Sequence, residues 1–171
     1  MASLMQELIS TLKTELEEYQ KLLELSEKKT PILVKGNIEE LQKITEEEQN
    51  LVDVINSVDR KREELVNDIG NVLNKNPKEL TLMKLAELLN SQPQEQKELM
   101  SLHDRLKRTL HNVETVNQQN QALVQQLLEM VAFDMTLVKS MKQAPETANY
   151  NKTAVNTGEL FIGATRFDAK Q

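Results

Sequence analysis

Leu33-Val34-Lys35-Gly36-Asn37-Ile38-Glu39-Glu40-Leu41 places a helix stop and a helix start side by side. Glycine tolerates the left-handed backbone that ends helices. Asparagine is a favoured N-cap, and Glu40, three residues on, completes the pattern of a capping box. Two helices are therefore predicted to meet here across a two-residue break.

Upstream, Met5, Ile9, Leu12, Leu16, Tyr19 and Leu23 alternate steps of four and three, which keeps them on one stripe of a helix. Leu4, Leu8, Leu22 and Leu25 widen that stripe, so this helix is expected to touch more than one neighbour. Pro31 is expected to kink or loosen its last turns. Downstream, Leu41, Ile44, Glu48, Leu51, Ile55, Val58, Arg62, Leu65, Ile69 and Val72 form a nearly unbroken heptad. Glu48 and Arg62 interrupt it. They are expected to mark where the partner helix has ended, stems buried and heads wet; pairing with charges across the seam is the alternative.

Asn76-Pro77-Lys78-Glu79 is a further helix start, with Asn as cap and Pro in the first turn, and a short helix is predicted from it to about Leu89. Asn90-Ser91-Gln92-Pro93 breaks that helix, and Ser91 with Gln94 offers another capping box. The last helix is predicted from about Pro93 to Gln143, roughly 75 Å long at 1.5 Å per residue. Its seam reads Leu99, Leu102, Leu106, Thr109, Val113, Val116, Asn120, Leu123, Leu127, Met130, Asp134, Leu137 and Met141. Asn120 either fixes the register of pairing or belongs to a Gln/Asn-rich stretch that faces water.

The composition agrees with long helices. Of 171 residues, 39% are hydrophobic, yet there are two Tyr, three Phe and no Trp, so aliphatic side chains must fill the interior. Gly and Pro number four each, too few for the turns of a sheet protein. The fold class expected is all-α: an elongated antiparallel bundle of heptad-patterned helices over residues 1–143, with the short helix as the reversal. Residues 144–171 are expected to be a flexible C-terminal tail. They begin with Ala144-Pro145, run polar and aperiodic, and end with Leu160-Phe161-Ile162 and Phe167-Asp168-Ala169-Lys170-Gln171. Whether the bundle closes within one chain or as a homodimer is not decided by periodicity.

The same residues exclude several functions. With no cysteine there is no disulfide, thiolate metal site or thiol nucleophile. His103 and His111 lie eight residues apart, not the three or four that would bring both to one metal. No phosphate loop, nucleophile elbow or zinc-hydrolase motif is present. No catalytic residue, metal or cofactor is therefore expected. A net charge of −6 argues against nucleic acid as a partner. No window approaches the ~20 apolar residues that span a bilayer, so no membrane insertion is expected. The first residues lack a basic leader and an apolar run, and a cytoplasmic address is expected.

What remains is interaction surface. Leu127, Leu128, Met130, Val131, Phe133, Met135, Leu137, Val138 and Met141 lie on more than one face of the last helix. Such a helix must be covered on several sides, either by the first two helices or by an amphipathic helix from another protein. Methionine suits the second role, because its flexible side chain re-packs around different partners.

Several segments resemble the FlgN-type flagellar export chaperones. These are Leu16-x-x-Tyr19-x-x-Leu22-Leu23-x-Leu25, the Leu33 to Leu41 stretch, Ile44-Thr45-x-x-Glu48-Gln49-x-Leu51, Arg60-Lys61-Arg62-Glu63, Asn117-x-x-Asn120-Gln121-x-Leu123-Val124, and the Phe167-Asp168-Ala169-Lys170 end. The resemblance implies a cytoplasmic chaperone that holds the helical terminal segments of hook-associated proteins of the hook–filament junction before type III export, and helps deliver them to the export gate. It implies client binding by the C-terminal part: Leu127, Met130, Val131, Phe133, Met135, Leu137, Val138 and Met141 on the helix. Tyr150, Phe161 and Phe167 in the tail are candidates for contact with client or export apparatus. The competing reading is a coiled-coil adaptor or scaffold that self-associates.

Overall fold

The computed structural model describes residues 2–143, all helices and their connections. Helix α1 spans Ala2–Lys35, α2 Ile38–Leu73, α3 Leu82–Leu88 and α4 Pro93–Gln143, with a 3-10 turn at Pro77–Glu79. No strand occurs among the described residues. Met1–Val131 is one compact unit; residues 132–143, the last turns of α4, are the described part of the second, Ala132–Gln171. The tail expected over 144–171 lies outside the described residues.

The Gly36-Asn37 break forms as the residues dictate. Gly36 takes φ +66°, its N–H donates to the Leu33 carbonyl at 3.1 Å, and the Asn37 N–H donates to Ile32 at 3.3 Å. Those two bonds satisfy carbonyls that the end of α1 would leave unpaired. The Asn37 side chain then accepts from the Glu40 N–H at 3.2 Å. Only this half of the expected capping box is needed, because the Asn37 N–H already has a backbone partner. Pro31 sits at an exposed position inside α1, which continues as helix through it to Lys35.

Three long helices share one core. Leu22 of α1 packs with Ile55 of α2. Lys29 pairs with Glu48 at 2.6 Å, and Glu15 with Arg62 at 3.5 Å. As the α1 number falls the α2 number rises, so α1 and α2 run antiparallel. Against α4 the numbers rise together: Lys13 pairs with Glu98 at 2.5 Å, and the Asn120 amide donates to the Ser26 carbonyl at 2.7 Å. Helices α1 and α4 are therefore parallel. The largest apolar cluster joins Met5, Leu8, Leu12 and Leu16 with Leu65 and Ile69, Leu80, Leu85 and Leu89, and Leu99, Leu102 and Leu106. A smaller one joins Leu22, Ile55 and Val113.

Four details depart from the sequence reading. Glu48 and Arg62 do not mark the end of a partner helix; they meet opposite charges on α1, because α1 still runs beside α2 at both levels. Val72 is exposed and Leu73 packs on the core instead, as expected when an α-helix of 3.6 residues per turn drifts off a strict heptad. The short helix does not run unbroken from Pro77. Asn76 caps only the 3-10 turn, accepting from Lys78 N–H at 3.1 Å; Thr81 then takes extended backbone and caps α3 through Lys84 N–H at 3.3 Å. Finally, α4 starts at Pro93, which puts Gln92 rather than Ser91 at its cap position. The Gln96 amide ties that turn together, donating to the Ala86 carbonyl at 3.0 Å and to Asn90 Oδ1 at 3.3 Å.

Candidate partner-binding surface

Along α4 the environment changes stepwise. Leu99, Leu102, Leu106, Thr109 and Val113 are buried. Asn120 is buried too, bonded to α1 on both sides of its amide: it donates to Ser26 O and accepts from the Thr30 hydroxyl, each at 2.7 Å. The pairing role is thus the one it plays, not the water-facing one. Leu123, Val124 and Leu127 are partly buried. Leu127 reaches the Gly36 turn, where a methyl group added to that glycine would lie 3.5 Å from its Cδ1. From Leu128 to Gln143 every residue is exposed.

Among the described residues, then, no side chain of this helix end is buried. Of the residues singled out from sequence, Leu127 is half-buried against the turn. Met130, Val131, Phe133, Met135, Leu137 and Val138 are exposed, and Met141 reaches 76%. At 100° per residue the apolar side chains of Leu127 to Met141 occupy an arc of roughly 220°, interrupted by Asp134 and Lys142. Glu129, Thr136, Lys139 and Ser140 fill the remainder. A helix lying on a single neighbour needs an apolar stripe of about 100°. This segment therefore presents enough apolar surface for more than one neighbour. Tyr150, Phe161 and Phe167 lie outside the described residues.

Exposed apolar residues near this helix end also escaped the sequence reading. Val34 and Ile38 flank the Gly36 turn, 70% and 60% exposed. Periodicity did not mark them: Ile38 stands three residues before Leu41, and Val34 five full turns after Leu16, so both occupy positions that the period alone would place towards a core.

Among the described residues no group of three His, Cys, Asp or Glu could hold a metal ion. His103 bonds its neighbour Asp104 at 3.1 Å, and His111 is exposed. The strongest electrostatic perturbation lies inside the helix pair. Glu15 is pushed up to about 7, chiefly by burial; the Arg62 guanidinium opposes this, and Asp59 adds to it. Tyr19, beside the same groups, is also raised, first by its burial. These groups lie at the α1–α2 seam, in the packed body of the bundle. No helix among the described residues is long and apolar enough to cross a membrane.

No curated protein and no solved structure matches the chain significantly. The family described as FlgN protein matches it over residues 1–158, most of its length. With a helical body and an uncovered apolar helix end already in view, that match has a physical counterpart: the chain belongs to the FlgN family of flagellar export chaperones.

Proposed function

We propose that the protein is a cytoplasmic export chaperone that holds the helical terminal segments of hook-associated proteins on the exposed end of α4 and keeps them from assembling prematurely. The observation that carries this reading is the run of exposed residues from Leu128 to Gln143, with Met130, Val131, Phe133, Met135, Leu137, Val138 and Met141 among them. A client helix covering that face gains roughly 25 cal/mol for each Å² of apolar surface removed from water. Ordering the client subtracts from the gain, which keeps binding reversible, as delivery to the export gate requires. The tail aromatics Tyr150, Phe161 and Phe167 are proposed to add contacts to client or gate.

The test is a double substitution, Met130→Asp with Val138→Asp. Both side chains are exposed, so helicity and melting should be unchanged while capture of a hook-associated protein's terminal helix is lost. Equal binding by both proteins would remove α4 as the site. Light scattering over a concentration series addresses self-association: a tight dimer that ignores hook-associated proteins would favour a scaffold.

A further inference from the structure

The last turns of α4, residues 132–143, and the sequence that follows them belong to one compact unit. At about 100° per residue the apolar side chains of these turns fall on two stripes. Phe133, Leu137 and Met141 lie within about 80° of one another, and Met135 and Val138 form a second stripe centred roughly 130° round the helix. Asp134 stands between the two and Lys142 lies within the second, so the first stripe alone carries no charge. Leu137 and Met141 are 39% and 76% exposed, Met135 and Val138 56% and 50%. A helix laid on one stripe covers an arc of about 100°. A single client helix therefore leaves the other stripe in water.

We propose that the uncharged stripe, through Leu137 and Met141, seats the chain's own segment 160–165, and that the client helix lies beside it on the Met135–Val138 stripe; the second half rests on the function proposed above. The match is one of charge and of reach. Leu160-Phe161-Ile162-Gly163-Ala164-Thr165 is uncharged throughout and apolar at its start. On the second stripe it would take the Lys142 ammonium out of water without offering a partner, which is costly. An amphipathic client helix has charged borders, and Asp134, Lys139 and Lys142 stand in or beside that stripe to meet them. As for reach, residues 144–159 join the segment to the end of α4. A connection of that length spans up to about 53 Å at ~3.3 Å per residue. Phe133 lies about 15 Å back along α4 from Gln143, so the whole stripe is within range. The tether also holds segment and stripe at an effective concentration on the order of millimolar. A contact too weak to form between separate molecules is then populated within one chain, an advantage that a second copy lacks.

The chain has no cysteine, so introduced pairs report alone. In the full-length protein Gly163→Cys is combined with Ser140→Cys, at the edge of the uncharged stripe, or with Lys142→Cys, within the second. The two tethers differ by two residues, so loop closure by itself favours neither. Every apolar residue of the seat stays in place. In dilute solution the Ser140 pair is expected to close about ten-fold faster than the Lys142 pair, and Phe161→Asp should bring it down to the slower rate. Equal rates in the two pairs, or a rate that Phe161→Asp leaves unchanged, would overturn the seat. Disulfides between chains at Ser140→Cys, growing with protein concentration, would give the stripe to a second copy and overturn it as well. An excess of a hook-associated protein's terminal helix should leave closure of the Ser140 pair unchanged. If that helix stopped the reaction, client and segment would compete for one stripe and the side-by-side arrangement would be wrong. Failure of the parent chain to bind the helix at all would end the proposed function but not the seat, which is measured on the free protein.

Discussion

Asn120 divides its amide between two groups of α1, and the three residues explain why a polar side chain is retained at the centre of an otherwise aliphatic seam. An aliphatic side chain at 120 would accept any neighbouring level of α1, but the amide pairs only where Ser26 O and the Thr30 hydroxyl face it. Asn120→Ala removes both inter-helix hydrogen bonds, and is expected to cost about 1–3 kcal/mol in urea unfolding. Glu15 makes the opposite kind of contribution. Its carboxyl titrates near 7 in the folded chain against an ordinary 4.5, so the folded state holds a proton that the unfolded state has released. Its stabilising effect is complete below about pH 4.5 and fades as pH rises through 7. Glu15→Gln should therefore flatten stability between those values and raise it at pH 8 by up to about 3 kcal/mol. Melting temperatures over the pH range check this; a variant less stable than the parent at pH 8 would mean that the ion pair with Arg62 outweighs burial.

At the scale of elements, the connections rather than the helices are where the chain is exacting. Gly70 lies buried in the last turns of α2, and a Cβ there would come 2.8 Å from Pro77 Cγ and 3.0 Å from the Lys75 carbonyl oxygen. The carbonyl is backbone and cannot swing aside, so Gly70→Ala should displace the 3-10 turn and cost about 1–3 kcal/mol. Thr81→Ala removes the cap of α3 and should cost about 1 kcal/mol, read in the same urea titration. Much of this level was legible in sequence: the Gly36-Asn37 break, the start at Asn37 and the three seams follow from local preferences and period. Periodicity reports which face of a helix is covered but not what covers it. For that reason Glu48 and Arg62 were assigned to water when Lys29 and Glu15 stood opposite them. Thr81 was passed over because Asn76-Pro77 upstream carries the stronger start signal, and nothing local says that this start yields a single 3-10 turn. The exposed end of α4 was legible as apolar on several faces. Its exposure was not, because period does not say what covers a face.

For the molecule as a whole, burial grades along the helices. The main apolar cluster holds the first half of α1, the last turns of α2, α3 and the first turns of α4, while beyond Asn120 the buried apolar residues are Leu33 and Ile44 alone among the described residues. Helix stability in proteins comes chiefly from packing, and a short helix without it is marginal in water. Residues 128–143 of α4 escape the cost of nucleation because the packed turns before them supply the nucleus, yet they have little to resist fraying from the C-terminal side. Amide hydrogen exchange of the free protein should therefore fall into three tiers. Slowest are the amides around Leu12, Ile69 and Leu102, intermediate are those near Leu33 and Ile44, and fastest among helical residues are those after Leu128. Adding a hook-associated terminal helix should slow exchange after Leu128 while leaving the first tier unchanged. Protection confined to the main cluster would mean that the partner binds the body of the bundle, and that the uncovered face of α4 serves some other contact.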